Sequence, residues 1–258
     1  MGYLEIKNLR KTFGCGARRT AVLENFSLSV EQGEFVALYG RLGDGKTTLA
    51  ALVAGLTLPD YGTITLGGKC VSGPGPDRAL MSQSQAPLGW LSVRDNVMTA
   101  IDNVFQSPQQ KRVRSDYYLA ATGLDAVAEK RPGELSEPLR RRLALARALA
   151  VNPDVLLLDD PLCGLDDGPR EQLSADLARL IAEERKTCLL FTSNVDEALL
   201  LADRVVPLAP DTRSLHVKEF LVDLPRPRKA PKLGIRFAQL RAAVLGSFTT
   251  ASTAAGLS

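Results

Sequence analysis

Residues 34 to 56 read EFVALYGRLGDGKTTLAALVAGL. A short apolar run, a glycine-rich octet and a small-residue helical pattern follow one another without a break. The octet, GRLGDGKT at 40 to 47, fits the pattern G-x-x-x-x-G-K-[ST]. It lies directly after an expected strand and directly before an expected helix, the context the pattern requires. Glycines there let backbone N–H groups turn inward around phosphate oxygens, helped by the helix N-terminus. Lys46 is expected to reach the β- and γ-phosphates of a nucleotide, and Thr47 to ligate Mg²⁺. The bland alternative is an ordinary Gly-rich turn between a strand and a helix.

Working outward, β-rich runs appear at YLEIKNL (3 to 9), VLENFSLSV (22 to 30), EFVALYG (34 to 40), TITLGG, ALMS, VLLLDD (155 to 160), CLLFTS (188 to 193) and RVVPL. Several are continuously apolar, as expected of strands buried on both faces of a sheet. Helical patterns alternate with them at 46 to 56, 168 to 184 and 195 to 202, which is an α/β signature. VLLLDD places Asp159 at a sheet edge, where a carboxylate can serve a metal.

From Ser92 to Ala150 no strand pattern is found. Ser92 and Asp95 resemble a capping box opening a helix that is expected to run to about Phe105, closed by Ser107-Pro108. QQKRVRSDYYLAATG predicts a second helix with Gly123 beyond its end. A third is expected from near Pro138 to Ala150, stopped by Asn152-Pro153. The pattern predicts an all-helical subdomain, about residues 84 to 150, inserted in an α/β core. The end, 246 to 258, is small and polar and is expected to be a disordered tail.

Composition excludes several classes. The chain has 32 Lys and Arg against 29 Asp and Glu, a net charge of +3, too weak to argue for nucleic acid. Cysteines at 15, 70, 163 and 188 show no paired or metal-type spacing. No apolar run approaches the roughly 18 residues that span a membrane. The opening MGYLEIKNLRKTF is charged and strand-like rather than a signal peptide. Work at a membrane would therefore go through a partner.

With the phosphate loop and VLLLDD in place, the chain resembles the nucleotide-binding subunits of ABC transporters from about residue 3 to 245. ALARALA (144 to 150) resembles the tail of the family's signature helix, usually preceded by LSGGQ. GLD (164 to 166) resembles the D-loop. FTSNVDEALLLADRV resembles the segment that usually reads THDxxEA, and SQSQAPLGWLSVRDNV resembles the Q-loop. GPGPDR (73 to 78) and VDLPRPR (222 to 228) are similar to importers of nitrate, sulfonate, taurine and related small anions such as bicarbonate. The resemblance implies a P-loop NTPase core, a mostly parallel sheet with an antiparallel β lobe, and the inserted helical subdomain. It implies ATP and Mg²⁺ as cofactors. Gly40, Gly43, Asp44, Gly45, Lys46, Thr47 and Thr48 would hold the phosphates, Phe13 the adenine, and Thr47, Gln83 and Asp159 the metal. Ser136 and Asp166 would contribute across a dimer. Partners would be a second nucleotide-binding chain, transmembrane permease subunits and, indirectly, a periplasmic or lipoprotein substrate-binding protein. The place implied is the cytoplasmic face of the bacterial inner membrane.

Four departures cluster around the γ-phosphate. The signature reads LSEPL at 135 to 139. Pro138 has no N–H to offer, and Glu137 puts a charge beside a negative ligand. Unopposed at about 5 Å and an effective dielectric near 20, that repulsion is on the order of 3 kcal/mol. The helix itself should survive, since Pro and acids suit a first turn. Asp160 stands at the catalytic glutamate position, about one methylene short. Ser193 stands at the switch histidine position, and the only histidine, His216, lies in a later expected strand. Leu42 replaces a small hydroxyl residue, and Asp44 adds an acid to the loop. The expectation is a chain that binds ATP but hydrolyses it weakly or not at all, the degenerate member of a heterodimeric importer pair. The alternatives are a homodimeric importer ATPase with relaxed motifs and a non-transport ABC protein.

Overall fold

The computed structural model describes residues 2–14, 19–82, 86–208, 218–228 and 234–254, the last six of them by backbone alone. The chain begins with β1 (Leu4–Phe13), β2 (Thr20–Val30), β3 (Phe35–Tyr39), α1 (Lys46–Val53), β4 (Tyr61–Leu66), β5 (Lys69–Cys70) and β6 (Arg78–Ser82). Three helices follow, α2 (Val93–Ala100), α3 (Pro108–Ala121) and α4 (Glu137–Ala150). Then come β7 (Val155–Asp159), α5 (Asp167–Glu184), β8 (Thr187–Thr192), α6 (Val195–Leu201), β9 (Arg204–Pro207), β10 (Phe220–Leu221) and α7 (Gly234–Ala254). The described chain divides into two units, one formed by the residues up to Gly75 and from Thr187 on, the other by Pro76–Lys186.

In the first unit, β3, β8 and β9 are buried at every position. Strands covered on both faces must be apolar throughout, which is why FVALY and TCLLFT show no alternation. β3 runs parallel to both β8 and β9, pairing Val36 with Leu189 and with Arg204. β10 closes this group antiparallel to β9. A second sheet, in the order β2-β1-β4-β5, is antiparallel. There β2 alternates buried and exposed along its second half, as a half-solvated strand should. β1 bulges at Asn8, whose φ is 50°, a conformation Asn tolerates better than most residues. Gly62 on the facing strand accommodates the bulge: a Cβ there would come within 2.5 Å of the Asn8 and Lys7 carbonyl oxygens.

Arg204 ties the unit together. Its guanidinium donates to both carboxylate oxygens of Glu34 (2.7 and 3.0 Å), to Glu219 (2.6 Å) and to the Ser29 carbonyl (2.7 Å). Arg228 acts similarly at the end of α6, donating to the carbonyls of Leu199, Ala202, Val222 and Leu224. VDLPRPR is thus a structural clasp on the helix that follows Ser193.

In the second unit, β6 and β7 pair in parallel, Leu80 opposite Leu157. Among the described residues from 92 to 150 no strand occurs, as read from the sequence. Ser92 does cap α2, accepting the Asp95 N–H at 3.0 Å. That helix stops at Ala100 instead of near Phe105, and Ser107-Pro108 opens α3 instead of closing α2. Pro at the first helical position is as compatible with a start as with a stop, so the dipeptide alone does not discriminate. At the other end of the chain, a disordered tail was expected from 246; α7 packs as far as Phe248, against Tyr39, and the backbone is helical to Ala254. His216 lies outside the described residues.

Removing Arg204 would strand two carboxylates, one of them largely buried. Arg204→Met is expected to destabilise the chain by about 3 kcal/mol, on the order of 10 °C in Tm for a chain of this size, measured by circular-dichroism melting at neutral pH.

Candidate nucleotide site

The first unit builds the phosphate loop. β3 ends at Tyr39, and the Gly40 N–H donates to the Thr192 carbonyl at 3.1 Å, fixing the loop's entrance against the end of β8. The chain turns through Gly43 (φ 94°) and Gly45 (φ 85°). Both values lie in the left-handed region that glycine adopts without cost. Gly45 is required for a second reason: a Cβ there would meet Val22 Cγ1 at 2.9 Å. Lys46 opens α1 and is only 6% exposed. Its Nζ donates to the carbonyls of Gly40 (2.9 Å) and Arg41 (3.0 Å), so it lies folded across its own loop. Thr47 and Thr48 follow in the first turn of α1.

Asp44 does not point away. Its carboxylate accepts the Arg41 N–H at 2.5 Å, so its charge faces one of the loop's own amides. Leu42 is 99% exposed at the rim. Ser193, also exposed, follows Thr192 directly, so the sheet register places it next to Gly40. Thr192 donates to Glu197 at 2.7 Å, and the Asn194 side chain caps α6 through the N–H groups of Asp196 (2.9 Å) and Glu197 (3.3 Å). TSN is therefore a well-formed strand-to-helix turn with a hydroxyl at Ser193.

Phe13 stands at the end of β1, 47% exposed, with the Lys11 ammonium 5.6 Å from its ring centre. Its position is set by Asp60, which accepts from the Thr12 hydroxyl and the Thr12 N–H, both at 2.7 Å, and from Lys11 at 3.3 Å. The Thr12 hydroxyl, then the Thr12 N–H, hold the Asp60 carboxyl at about 2.

The second unit carries the carboxylates. β7 is buried throughout and ends at Asp159, 6% exposed. Asp160 follows with φ 46°, a left-handed conformation that Asp adopts more readily than most residues. Its carbonyl accepts the Cys163 N–H at 3.2 Å, closing the turn that leads to Asp166 at the head of α5. Ser136 and Asp166 both occupy helix N-cap positions and neither side chain caps its helix. Gln83 lies outside the described residues.

One expectation is corrected here. Glu137 is not an unopposed charge: it pairs with Arg141 at 3.1 Å and with Arg140 at 3.8 Å. The cluster of three carries a net positive charge, so the repulsion estimated for a lone carboxylate is offset. Each of the three consecutive arginines also donates to a carbonyl of a different segment: Arg140 to Pro132, Arg141 to Cys163 and Arg142 to Thr122. Arg141 thus joins α4 to the turn between Asp160 and Asp166. The motif readings missed it, although an acid four residues before a base on a helix was the available signal.

Residues 23–163 match the family described as ABC transporter. The chain belongs to the ABC transporter family. It is 39% identical over 248 residues to the nitrate import ATP-binding protein NrtD of Synechococcus elongatus, covering 95% of this chain and 90% of that protein. It is 41% identical over 234 residues to the nitrate import ATP-binding protein NrtC of Synechocystis, covering 88% of this chain but only 34% of that longer protein. The bicarbonate transport ATP-binding protein CmpD of Synechocystis is 36% identical over 233 residues, 90% of this chain and 83% of that protein. Among solved structures, the dimeric bacterial ABC transporter cassette MJ0796 matches with a TM-score of 0.76 at 26% identity, over 85% of this chain and 98% of that one. The fold is thus a P-loop NTPase core with an antiparallel lobe. Among the described residues no helix is long and apolar enough to cross a membrane.

The depressed Asp60 carboxyl sets a pH dependence. Its folded value lies below its ordinary value of 3.8, so its contribution to stability is complete above that value and is lost as pH falls toward 2. The stability gap between wild type and Asp60→Asn is expected to hold constant above about pH 5 and to narrow as pH falls from about 4 toward 2, read from thermal melts. A gap independent of pH would show that the clamp on Thr12 does not depend on the charge.

Proposed function

We propose that this chain is the ATP-binding subunit of an importer for a small anion of the nitrate or bicarbonate class, and the catalytically degenerate member of an unlike pair. The observation that supports it most is the contrast within the site. The phosphate loop has its left-handed glycines and its buried Lys46, while the groups that would drive hydrolysis in this reading are replaced. The residues fit ATP and Mg²⁺: the left-handed glycines open a cradle of N–H groups, Lys46 brings a buried cation to it, and α1 presents its N-terminus. Lys46 would exchange two carbonyls for phosphate oxygens. Thr47, Asp159 and Gln83 would hold Mg²⁺, which neutralises phosphate charge when bound, and Phe13 would stack on the base.

The replacements act together. A carboxylate displaced by about 1 Å can cost roughly a hundredfold in rate. Losing a donor such as the imidazole absent at Ser193 costs about 10²- to 10³-fold. Pro138 cannot donate to a partner's nucleotide, whatever the charge of Glu137. In this reading the chain works with a more complete nucleotide-binding chain and with permease subunits, at the cytoplasmic face of the membrane. The names of NrtD, NrtC and CmpD support the anion class.

Purified chain is expected to bind Mg-ATP, seen as a nucleotide-dependent rise in Tm, and Lys46→Ala to abolish that rise. Turnover by the chain alone should not exceed that of the Lys46→Ala variant. Turnover at the rate of a complete importer ATPase would refute the degenerate reading.

In the assembled transporter, the competent site is the partner's, and this chain's LSEPL is its weak clamp. Replacing Glu137 and Pro138 by Gly-Gly is therefore expected to raise ATP turnover of the complex, followed with radiolabelled ATP. Asp160→Glu alone should change little while Ser193 remains. The reverse pattern would place the active site on this chain.

A further inference from the structure

The C-terminal helix α7 reaches the phosphate loop. Phe248, 6% exposed, meets the Tyr39 ring edge-on at 5.2 Å, and the Arg41 guanidinium lies 5.6 Å from its ring centre. Tyr39 and Arg41 flank Gly40, the first residue of the loop. Both are held by their backbones, Tyr39 in the sheet and Arg41 within the loop. Tyr39 O accepts the Leu208 N–H at 2.7 Å. Arg41 offers its N–H to Asp44 and its carbonyl to Lys46. Further along, Arg241 of α7 donates to Asp196 at 2.7 Å, in the first turn of the helix that follows Ser193. Arg236 pairs with both oxygens of Asp223, at 3.0 and 2.8 Å, anchoring the start of α7. One helix therefore touches both segments of the first unit that would face the γ-phosphate.

We propose that Phe248 is a positioning residue for the phosphate loop, acting through Arg41 and Tyr39, with α7 as the strut that holds it there. The proposal rests on the nucleotide reading of that loop. The physical argument is one of local stability. Among the described residues nothing packs on Leu42 and Gly43 to hold the loop's outer arm: Leu42 is 99% exposed, and a Cβ on Gly43 would meet nothing within 4 Å. The arm is fixed at its base, by the Asp44 and Lys46 bonds from inside and by the Phe248 ring from outside. Removing the ring leaves the Arg41 side chain without its aromatic face, and the carbonyl that receives Lys46 is then free to swing.

The test uses the full-length chain without nucleotide, then with Mg-ATP. Hydrogen exchange of the amides of residues 40 to 47 should quicken about tenfold in Phe248→Leu and Phe248→Ala, since an aromatic pair and a cation–π contact together amount to about one decade in a local opening constant. Exchange in β4 should not change. Phe248→Tyr, which keeps the ring, should restore wild-type exchange, and Arg41→Ala combined with Phe248→Leu should be no faster than Phe248→Leu alone. Mg-ATP affinity should fall by a similar factor in Phe248→Leu. Equal quickening in β4 would make Phe248 a core residue only and would overturn the proposal, as would unchanged loop exchange. If wild type binds no nucleotide, the ATP reading fails, and the exchange measurements still decide whether Phe248 positions the loop.

Discussion

A loop that grips phosphate must keep its N–H groups pointing inward and unclaimed while no ligand is there. Most turns satisfy their amides internally; this one does so only in part, the Asp44 N–H donating to the Arg41 carbonyl at 3.2 Å. The chain meets the constraint by spending side chains on the loop's other polar groups. Lys46 takes the carbonyls of Gly40 and Arg41, and Asp44 takes the one amide at Arg41. Val22 presses against Gly45 from below. The buried strands on either side serve that geometry: β3 delivers the loop, and β8 pins Gly40 through Thr192.

The second unit shows how a helix can open on Glu137 and Pro138 and keep its fold. Pro138 and Glu137 are good first-turn residues, and α4 begins with them cleanly. The charge that looked destructive to a partner's nucleotide is answered by Arg140 and Arg141 within the same helix. What Pro138 leaves out, in the proposed function, is one amide hydrogen. The deficit at the signature is thus narrower than its sequence suggests, and it sits in the backbone, where no neighbouring side chain can supply it.

Much of this was legible in the sequence. Continuous apolar runs named the central strands within a residue or two, because a strand buried on both faces leaves no other composition open. The octet at 40 to 47 was legible because only glycine fits where φ is positive and a neighbour is close. The unread parts share a different cause. The end of α2 at Ala100, the start of α3 at Pro108 and the helical course of α7 depend on partners distant in sequence. So do the carbonyls found by Arg140, Arg141 and Arg142. The same holds for Asp44, whose inward turn follows from the loop's shape rather than from its own chemistry. Gln83, the remaining metal ligand read from the sequence, falls outside the described residues.

Asp160 carries a consequence beyond rate. Its backbone sits at φ 46°, in a region where aspartate is far more at ease than glutamate, because a short carboxylate can bond to its own main chain. The shorter acid is therefore the residue this turn prefers for folding, and the longer one the residue hydrolysis prefers. Along any path of single replacements these two preferences oppose each other at one position. A change to glutamate is uphill in conformational energy at once, while its chemical benefit stays out of reach until Ser193 also changes. Under the proposed function the turn would work as a ratchet, local backbone preference holding Asp160 in place.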